Sequence, residues 1–226
     1  MDIIKINPIN GLCNYLRVIF SYYHYAKIQK KKLQVFWHIT KNCVGYFEDY
    51  FEKINDIEFI KCDEYYDTKL PEICEPLNDY RPEKMFVYQE LKLLPFMQNK
   101  VNDIVNKLGK FIAIHVRRTD HTSVAILENN FTTDDDFCNF INEHNDYKIY
   151  IATDNKDTQN FFINLYGNRI FFYKKLNRPK FIKRHTDLEH TIIDIFVCSR
   201  SVYFKGSGWS SMSDIIYQLK ENLNNN

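Results

Sequence analysis

Two adjacent arginines and an aspartate follow an apolar run near the middle of the sequence. The run Phe111–Val116 is apolar apart from one histidine, which is typical of a buried strand in a parallel sheet. Arg117, Arg118 and Asp120 come next. Ligands of open α/β sheets bind beyond the carboxyl ends of the strands, and arginine suits bidentate contact with phosphate. The pattern predicts a phosphate site here, and an ion pair between one arginine and a nearby carboxylate is the structural alternative.

A segment rich in glycine and serine near the carboxyl end of the chain is a second candidate. It follows a predicted strand, opens the last predicted helix and contains Ser207, Gly208, Ser210 and Ser211. Glycine lets the backbone approach a ligand, and free N–H groups at a helix start attract phosphate. The segment matches neither a Walker A loop nor the G-x-G-x-x-G pattern. It predicts a phosphate contact, with an ordinary helix N-cap at Ser210 as the alternative.

Polar residues also follow two other predicted strands. Asp154 comes after the predicted strand Lys148–Ala152, where a carboxylate can bind a ribose hydroxyl or a base edge, or cap the next helix. The first strand–helix turn contains Gly11, Asn14 and Arg17. Gly11 permits the turn, and the other two side chains are expected near a ligand cleft. Capping together with a solvent-exposed arginine is the alternative for that turn.

Two polar residues occur within apolar stretches. His115 lies inside the predicted strand and is either a ligand contact or a hydrogen-bonded core histidine. Asp194 lies in the apolar helical stretch Thr191–Cys198, and a buried carboxylate is costly unless it is paired. We therefore expect Asp194 to face a polar partner or a ligand. All the other candidates fall at carboxyl ends of predicted strands, which favours a phosphate-bearing ligand held between two lobes.

The elements that position these residues alternate between strand and helix patterns. This alternation predicts parallel sheets covered by helices on both faces. Gly109 follows a predicted helix and divides the chain into lobes 1–109 and 110–226. We expect an α/β protein with two small doubly wound Rossmann-like lobes whose parallel sheets face a cleft. One continuous sheet is the alternative.

Three other segments carry weaker patterns. Gly45–Ile54 has the spacing of a helix, and the span from Lys61 to Pro95 reads as loops with a possible strand at Met85–Tyr88. After the arginine motif, the pattern predicts a long loop up to a helix that begins near Asp134.

Composition excludes several classes of protein. The 226 residues include 30 Lys and Arg against 29 Asp and Glu, which argues against a nucleic-acid-binding protein. A hydrophobic content of 45% excludes a mainly disordered chain. The six cysteines form no C-x-x-C pair, so we expect free thiols in a reducing compartment rather than three disulfides. No signal-peptide core and no run of about 18 apolar residues is present, which predicts a cytoplasmic protein without a transmembrane segment.

The motifs together resemble those of the fucosyltransferases that use GDP-fucose, a superfamily that includes α1,6-, α1,2- and protein O-fucosyltransferases. The α1,6 branch is the most similar at the first motif. The matches come in family order and loosely cover most of the chain outside residues 45–95. They are the run His115–Asp120 for the first motif, Gly11–Asn14 for the amino-terminal Gly-x-x-Asn turn, Ile151–Asp154 for the second motif and Ile193–Ser211 for the third.

The resemblance implies a GT-B fold and an inverting transfer of fucose from GDP-fucose to a hydroxyl of a glycan or protein. It implies no metal and no other cofactor. Arg117 and Arg118 would hold the β-phosphate and stabilise the departing diphosphate, which is usually the largest catalytic effect. Asp120 would contact the sugar or orient the arginines.

The remaining candidates would bind the donor nucleotide. Asp154 and Asp194 would contact guanosine or brace its site, and Ser210 and Ser211 would bind phosphate. Asn14 would contact the nucleotide or the acceptor from lobe 1–109, the acceptor side. The other expected donor-binding residues are Gly11, Arg17, His115, Ser207 and Gly208.

Three features depart from the family pattern. The α1,6 branch has a glutamate, assigned as the base, at the position of Ala125, and Glu128 is the nearest acid here. The paired acids of the second motif become Asp154 and Asn155. The chain is also short for the family. Two alternatives follow: a GT-B transferase that uses another nucleotide sugar, and an inactive relative that binds a nucleotide sugar or a glycan.

Overall fold

The computed structural model describes residues 2–40, 43–63, 67–80, 88–119, 122–174 and 186–224. By its internal contacts the chain divides into two compact units, Met1–Gln98 and Asn99–Asn224, apart from its last two residues. We refer to them as unit 1 and unit 2.

Unit 1 contains a four-stranded parallel sheet in the order β3-β2-β1-β4. Its elements are β1 (Ile3–Pro8), α1 (Leu12–Ile28), β2 (Lys32–His38), β3 (Ile57–Cys62) and β4 (Glu72–Ile73). Apolar residues at helical spacing, such as Leu16 and Ile19, are buried along α1, so the predicted first helix is confirmed. Trp37 on β2 packs against Tyr15 of α1, with ring centroids 4.8 Å apart.

The predicted helix Gly45–Ile54 is wrong. Only a short 3-10 turn, Phe47–Asp49, forms there. Backbone pairing with a later segment explains the difference: Phe51 forms an antiparallel bridge with Leu93. This pairing outweighs the helical spacing of the apolar side chains. The predicted irregular span contains strand β4, and the possible strand Met85–Tyr88 lies outside the described residues except for Tyr88.

Unit 2 contains a second four-stranded parallel sheet, in the order β7-β6-β5-β8. Helix α2 (Pro95–Leu108) contains the division between the units, and the predicted boundary after Gly109 lies at its end. Gly109 has φ +67° and its N–H donates to the Val105 carbonyl, so it ends the helix as predicted. The other elements are β5 (Phe111–Val116), α3 (Thr122–Leu127), α4 (Asp134–Glu143), β6 (Lys148–Thr153), α5 (Lys156–Tyr166), β7 (Ile170–Phe171), α6 (Leu188–Ser199), β8 (Tyr203–Gly206) and α7 (Ser211–Asn224).

Helices cover both faces of the unit 2 sheet. Alternate residues of a strand point to opposite faces, so Ile112 and Ile114 of β5 share a core with Phe137 of α4. On the other face, His115 contacts Ser213 of α7. The predicted α/β class with two parallel sheets is therefore confirmed. Helix α3 corrects the prediction of a continuous loop between β5 and α4; it is only six residues long.

Two further expectations from the sequence concern the cysteine thiols and transmembrane segments. All six cysteines lie within the described ranges and are free thiols, and four of them are buried. Of the helices within the described ranges, none has the length and apolar character needed to cross a membrane.

Candidate functional site

Arg117 lies directly beyond the carboxyl end of β5. Its backbone N–H donates to Ser207 Oγ at 2.9 Å, and the Ser207 N–H donates to the His115 carbonyl at 2.8 Å. Its side chain is 17% exposed, with Nε 3.6 Å from Asp154 Oδ2. The loop after β8 and the end of β6 thus hold Arg117 from two sides, and its side chain stays partly exposed.

Asp154 joins the end of β6 to the loop that follows β5. Its carboxylate accepts the Arg118 N–H at 3.3 Å and the Thr119 hydroxyl proton at 2.5 Å. The cap of α5 is provided by Asn155 instead, whose side chain accepts the Thr158 N–H at 2.8 Å. Asn155 therefore caps the helix, and Asp154 instead stabilises the loop that begins with Arg117 and Arg118, which we call the arginine loop.

Arg118 makes the ion pair that the sequence offered as the structural alternative. Its Nε and Nη2 donate to Asp134 Oδ1 at 3.2 and 2.7 Å. Nη2 also donates to the Thr132 carbonyl, and Nη1 donates to the Arg117 carbonyl. The guanidinium lies 4.8 Å from the ring centroid of Phe131. Arg118 is 13% exposed and fixed by several partners, so the two adjacent arginines differ in their surroundings.

The Gly-Ser segment turns from β8 into α7 beside the two arginines. The Gly208 N–H donates to Thr132 Oγ1 at 2.9 Å. A Cβ on Gly208 would lie 2.1 Å from the Asn130 carbonyl oxygen, so only glycine fits there. Ser210 is buried and its carbonyl accepts the Asp214 N–H, as the residue before a helix does; Ser211 is the first helical residue.

These segments surround an open depression, which we call the arginine depression. Arg117, Arg118, Ser207 and Gly208 line it, together with residues of α3 and of the loop before α4. Ala125 also lines it and is buried, whereas Glu128 is exposed. Among the described residues, the lining contains no carboxylate and no imidazole. Asp120 lies outside the described residues.

His115 faces the interior of unit 2. It is 2% exposed, and its Nδ1 lies 2.8 Å from Ser213 Oγ. Burial, with a smaller effect of the Arg117 charge, lowers the pKa of His115 to about 3. A neutral, buried imidazole at this position fits the alternative of a core histidine.

Asp194 is buried inside unit 2, where other side chains of the protein contact its carboxylate. It accepts the Tyr150 hydroxyl proton at 2.7 Å and lies 3.5 Å from His190 Nε2. Burial raises the pKa of the Asp194 carboxyl well above its usual range. The expected polar partner of this acid is therefore Tyr150, in the middle of β6.

The structure groups Gly11, Asn14 and Arg17 at the start of α1, in unit 1. Gly11 precedes the helix without a side-chain cap, and its carbonyl accepts the Asn14 N–H at 2.9 Å. Asn10 takes the left-handed conformation in this turn, with φ 82°.

The sequence alone did not single out Thr132, Asp134 or Asn130. Asp134 belongs to the acidic first turn of α4, which signals a helix start. No sequence pattern links it to an arginine 16 residues earlier. Within the described part of the chain, no group of three or more His, Cys, Asp or Glu residues is placed to hold a metal ion.

Several solved structures with a similar fold are fucosyltransferases. NodZ α-1,6-fucosyltransferase soaked with GDP-fucose has a TM-score of 0.65 and 13% identity, covering 96% of this chain and 92% of that one. NodZ from Bradyrhizobium has a TM-score of 0.61, 13% identity and coverages of 95% and 92%. POFUT1 in complex with GDP-fucose has a TM-score of 0.65, 10% identity and coverages of 96% and 94%. No family model and no curated protein sequence matches the chain. The fold implied by the resemblance is confirmed.

Proposed function

We propose that the protein is an inverting, metal-independent glycosyltransferase that moves fucose from GDP-fucose to a hydroxyl of a glycan or protein. One observation carries the proposal. The chain has the fold of two fucosyltransferases solved with GDP-fucose, and Arg117 lies at the carboxyl end of a central strand, where such folds bind ligands.

Arg117 is the group best placed to bind the diphosphate. Its guanidinium lies 3.6 Å from the Asp154 carboxylate and lines the arginine depression. A fixed cation there would stabilise the negative charge that develops on the leaving diphosphate. Arg118, whose donors contact Asp134 and two carbonyls, would instead hold the loop in shape and add positive potential.

The other candidates divide into ligand contacts and supports. Ser207, Gly208, Ser210 and Ser211 would surround the phosphates, with Ser207 also fixing the backbone of Arg117. Asp154 would support the arginine loop. Supporting roles for Asp194 and His115, and ligand contacts for Asp120, Gly11, Asn14 and Arg17, belong to the proposal, as do the roles of lobes 1–109 and 110–226. A cytoplasmic location stays a prediction from the sequence.

A second candidate function follows from Ala125. This small side chain lines the arginine depression at the position where the resemblance to the α1,6 branch implies a glutamate that acts as the catalytic base. A protein that binds a nucleotide sugar without transferring it would have no need of that carboxylate. Tight GDP binding with no donor turnover on a broad panel of glycan and protein acceptors would favour this candidate.

Calorimetric titration with GDP, using UDP as the comparison, tests the donor site. We expect GDP to bind more tightly than UDP, and Arg117→Ala to weaken GDP binding by about 10- to 100-fold, since a charge-assisted contact is lost. Lys110→Ala is the matched control because it removes the same charge from an exposed site at the other end of β5. Thermal unfolding of both variants checks that the fold is intact.

Each result has a separate meaning. Preference for UDP would retain a transferase but exclude GDP-fucose as the donor. Equal GDP affinity in the Arg117→Ala and Lys110→Ala variants would contradict the role of Arg117. Transfer of fucose that persists after treatment with a metal chelator would support the metal-independent mechanism, and loss of transfer would contradict it.

A further inference from the structure

One hydroxyl in the lining of the arginine depression has no hydrogen-bond partner among the described residues. Thr122, the first residue of α3, lines the depression together with Arg117 and Arg118. Its Oγ1 is buried and makes no hydrogen bond with any described residue. A buried hydroxyl without a partner is costly, and nearly all such groups in folded proteins are satisfied.

The neighbouring hydroxyls already have partners. Ser207 Oγ accepts the Arg117 N–H, and Thr132 Oγ1 accepts the Gly208 N–H. These bonds join loops to one another. Within the part of the chain that the structure describes, Thr122 Oγ1 is the hydroxyl of the lining without a partner, so it is the one most available to a ligand.

The surroundings of Thr122 select an anionic ligand. Arg117 and Arg118 supply positive charge to the same lining. A threonine hydroxyl can donate a hydrogen bond, and phosphate oxygens are strong acceptors. Ala125, three residues further along α3, also lines the depression, so it lies on the same side of this helix. This side of α3 therefore offers one small apolar side chain and one hydroxyl.

We infer that Thr122 is a ligand-contacting residue whose hydroxyl donates a hydrogen bond to an oxygen of the nucleoside diphosphate. The inference rests on the proposed function and adds a contact that the sequence motifs did not contain. A ligand oxygen at this point would give the buried hydroxyl the partner that no described residue supplies.

The test compares Thr122→Val, which removes the hydroxyl at nearly constant shape, with Thr122→Ser, which retains it. Ser123→Ala is the matched control, since it removes an exposed hydroxyl from the same helix. Titration with GDP should show an affinity about tenfold lower for Thr122→Val, and changes of less than about threefold for the other two variants. Thermal unfolding of the unliganded proteins provides the second readout.

Stability distinguishes a ligand contact from a structural one. If the hydroxyl is unsatisfied in the unliganded protein, Thr122→Val should unfold at the wild-type temperature or higher while binding GDP more weakly. Unchanged GDP affinity in Thr122→Val would overturn the inference, as would a lower unfolding temperature with an affinity loss that Thr122→Ser does not rescue.

The same titrations separate this inference from the proposed function. If the wild-type protein binds GDP and depends on Arg117, but Thr122→Val binds equally well, only the Thr122 contact is wrong. If the wild-type protein does not bind GDP, the proposed function is wrong and the Thr122 contact falls with it.

Discussion

The two units have the same strand order but differ in the burial of their first strands and in the residues that follow them. In each sheet the first strand lies between the second strand and the last. Strand β5 is buried along all six residues, whereas β1 becomes buried only from Ile6 onward. The same topology thus presents a fully buried central strand in unit 2 and a partly exposed one in unit 1.

The residues beyond those strands differ more. In unit 1, Asn7 at the end of β1 donates to the Leu70 carbonyl at 3.5 Å, and the chain turns through Asn10 into α1. In unit 2, the equivalent position carries ion pairs and hydrogen bonds among Arg117, Arg118, Thr132, Asp134 and Asp154, which we call the edge network. Topology places strand ends together, and the loop residues then decide which charged groups meet there.

Substitution of Gly208 should have the largest effect on the edge network. In Gly208→Ala the new Cβ would lie 2.1 Å from the Asn130 carbonyl oxygen, so backbone must move. We expect a loss of about 3 kcal/mol in the free energy of unfolding, measured by denaturant titration. Gly109→Ala is the control: its Cβ meets nothing within 4 Å, and only its φ of +67° opposes it, at about 1 kcal/mol. Equal losses would contradict the close approach at Gly208.

The histidine at the end of β5 should make unit 2 sensitive to acid. Burial lowers the pKa of His115 to about 3, below its usual 6.5, so between these values the unfolded chain binds a proton that the folded protein does not. Stability must therefore fall as the pH falls through this range. From pH 6.5 to about 5 the loss from this group is about 2 kcal/mol, at about 1.4 kcal/mol per pH unit.

In His115→Gln this contribution to the pH dependence of unfolding should disappear. Should the variant fail to fold, NMR titration of the wild-type imidazole provides the answer directly. A ring that becomes protonated near pH 6.5 in the folded protein would contradict the expected shift.

The smallest effect is expected at the half-exposed end of the edge network. Asp134 accepts two N–H groups of Arg118 but is 49% exposed, so Asp134→Asn should cost about 1 kcal/mol of stability, and less at high salt. Asp135→Asn, at an exposed neighbouring position in the same helical turn, loses a similar interaction with the helix dipole but not the ion pair. Equal unfolding free energies for the two variants would show that this ion pair does not stabilise the protein.

The sequence predicted the parts of the candidate site that follow directly from a strand. A strand that is covered on both faces of a sheet is apolar at successive positions. The apolar run Phe111–Val116 therefore predicted a buried strand, and the charged residue that follows it, Arg117, lies at the end of that strand. The different surroundings of Arg117 and Arg118 could not be predicted from the sequence, since they depend on a loop that brings Thr132 and Asp134 to Arg118. Thr122 carried no sequence signal at all.

The fold was predictable to a similar extent. The alternation of strand and helix patterns predicted both parallel sheets, because the apolar face of each element must be buried against a neighbouring element. The error at Gly45–Ile54 arose where backbone pairing with Leu93, a contact distant in sequence, decided the local structure. Short helix α3 escaped detection because six residues are too few for a helical period to be clear.

The position of β8 in the sheet has a consequence for the order in which the protein is made. Strand β5 needs β8 as its neighbour, and Arg117 bonds to Ser207, 90 residues later in the chain. During synthesis, the candidate site therefore cannot be completed until strand β8 and Ser207 have left the ribosome. Contacts between such distant residues form slowly, so a nascent or carboxyl-truncated chain would expose one side of its most apolar strand.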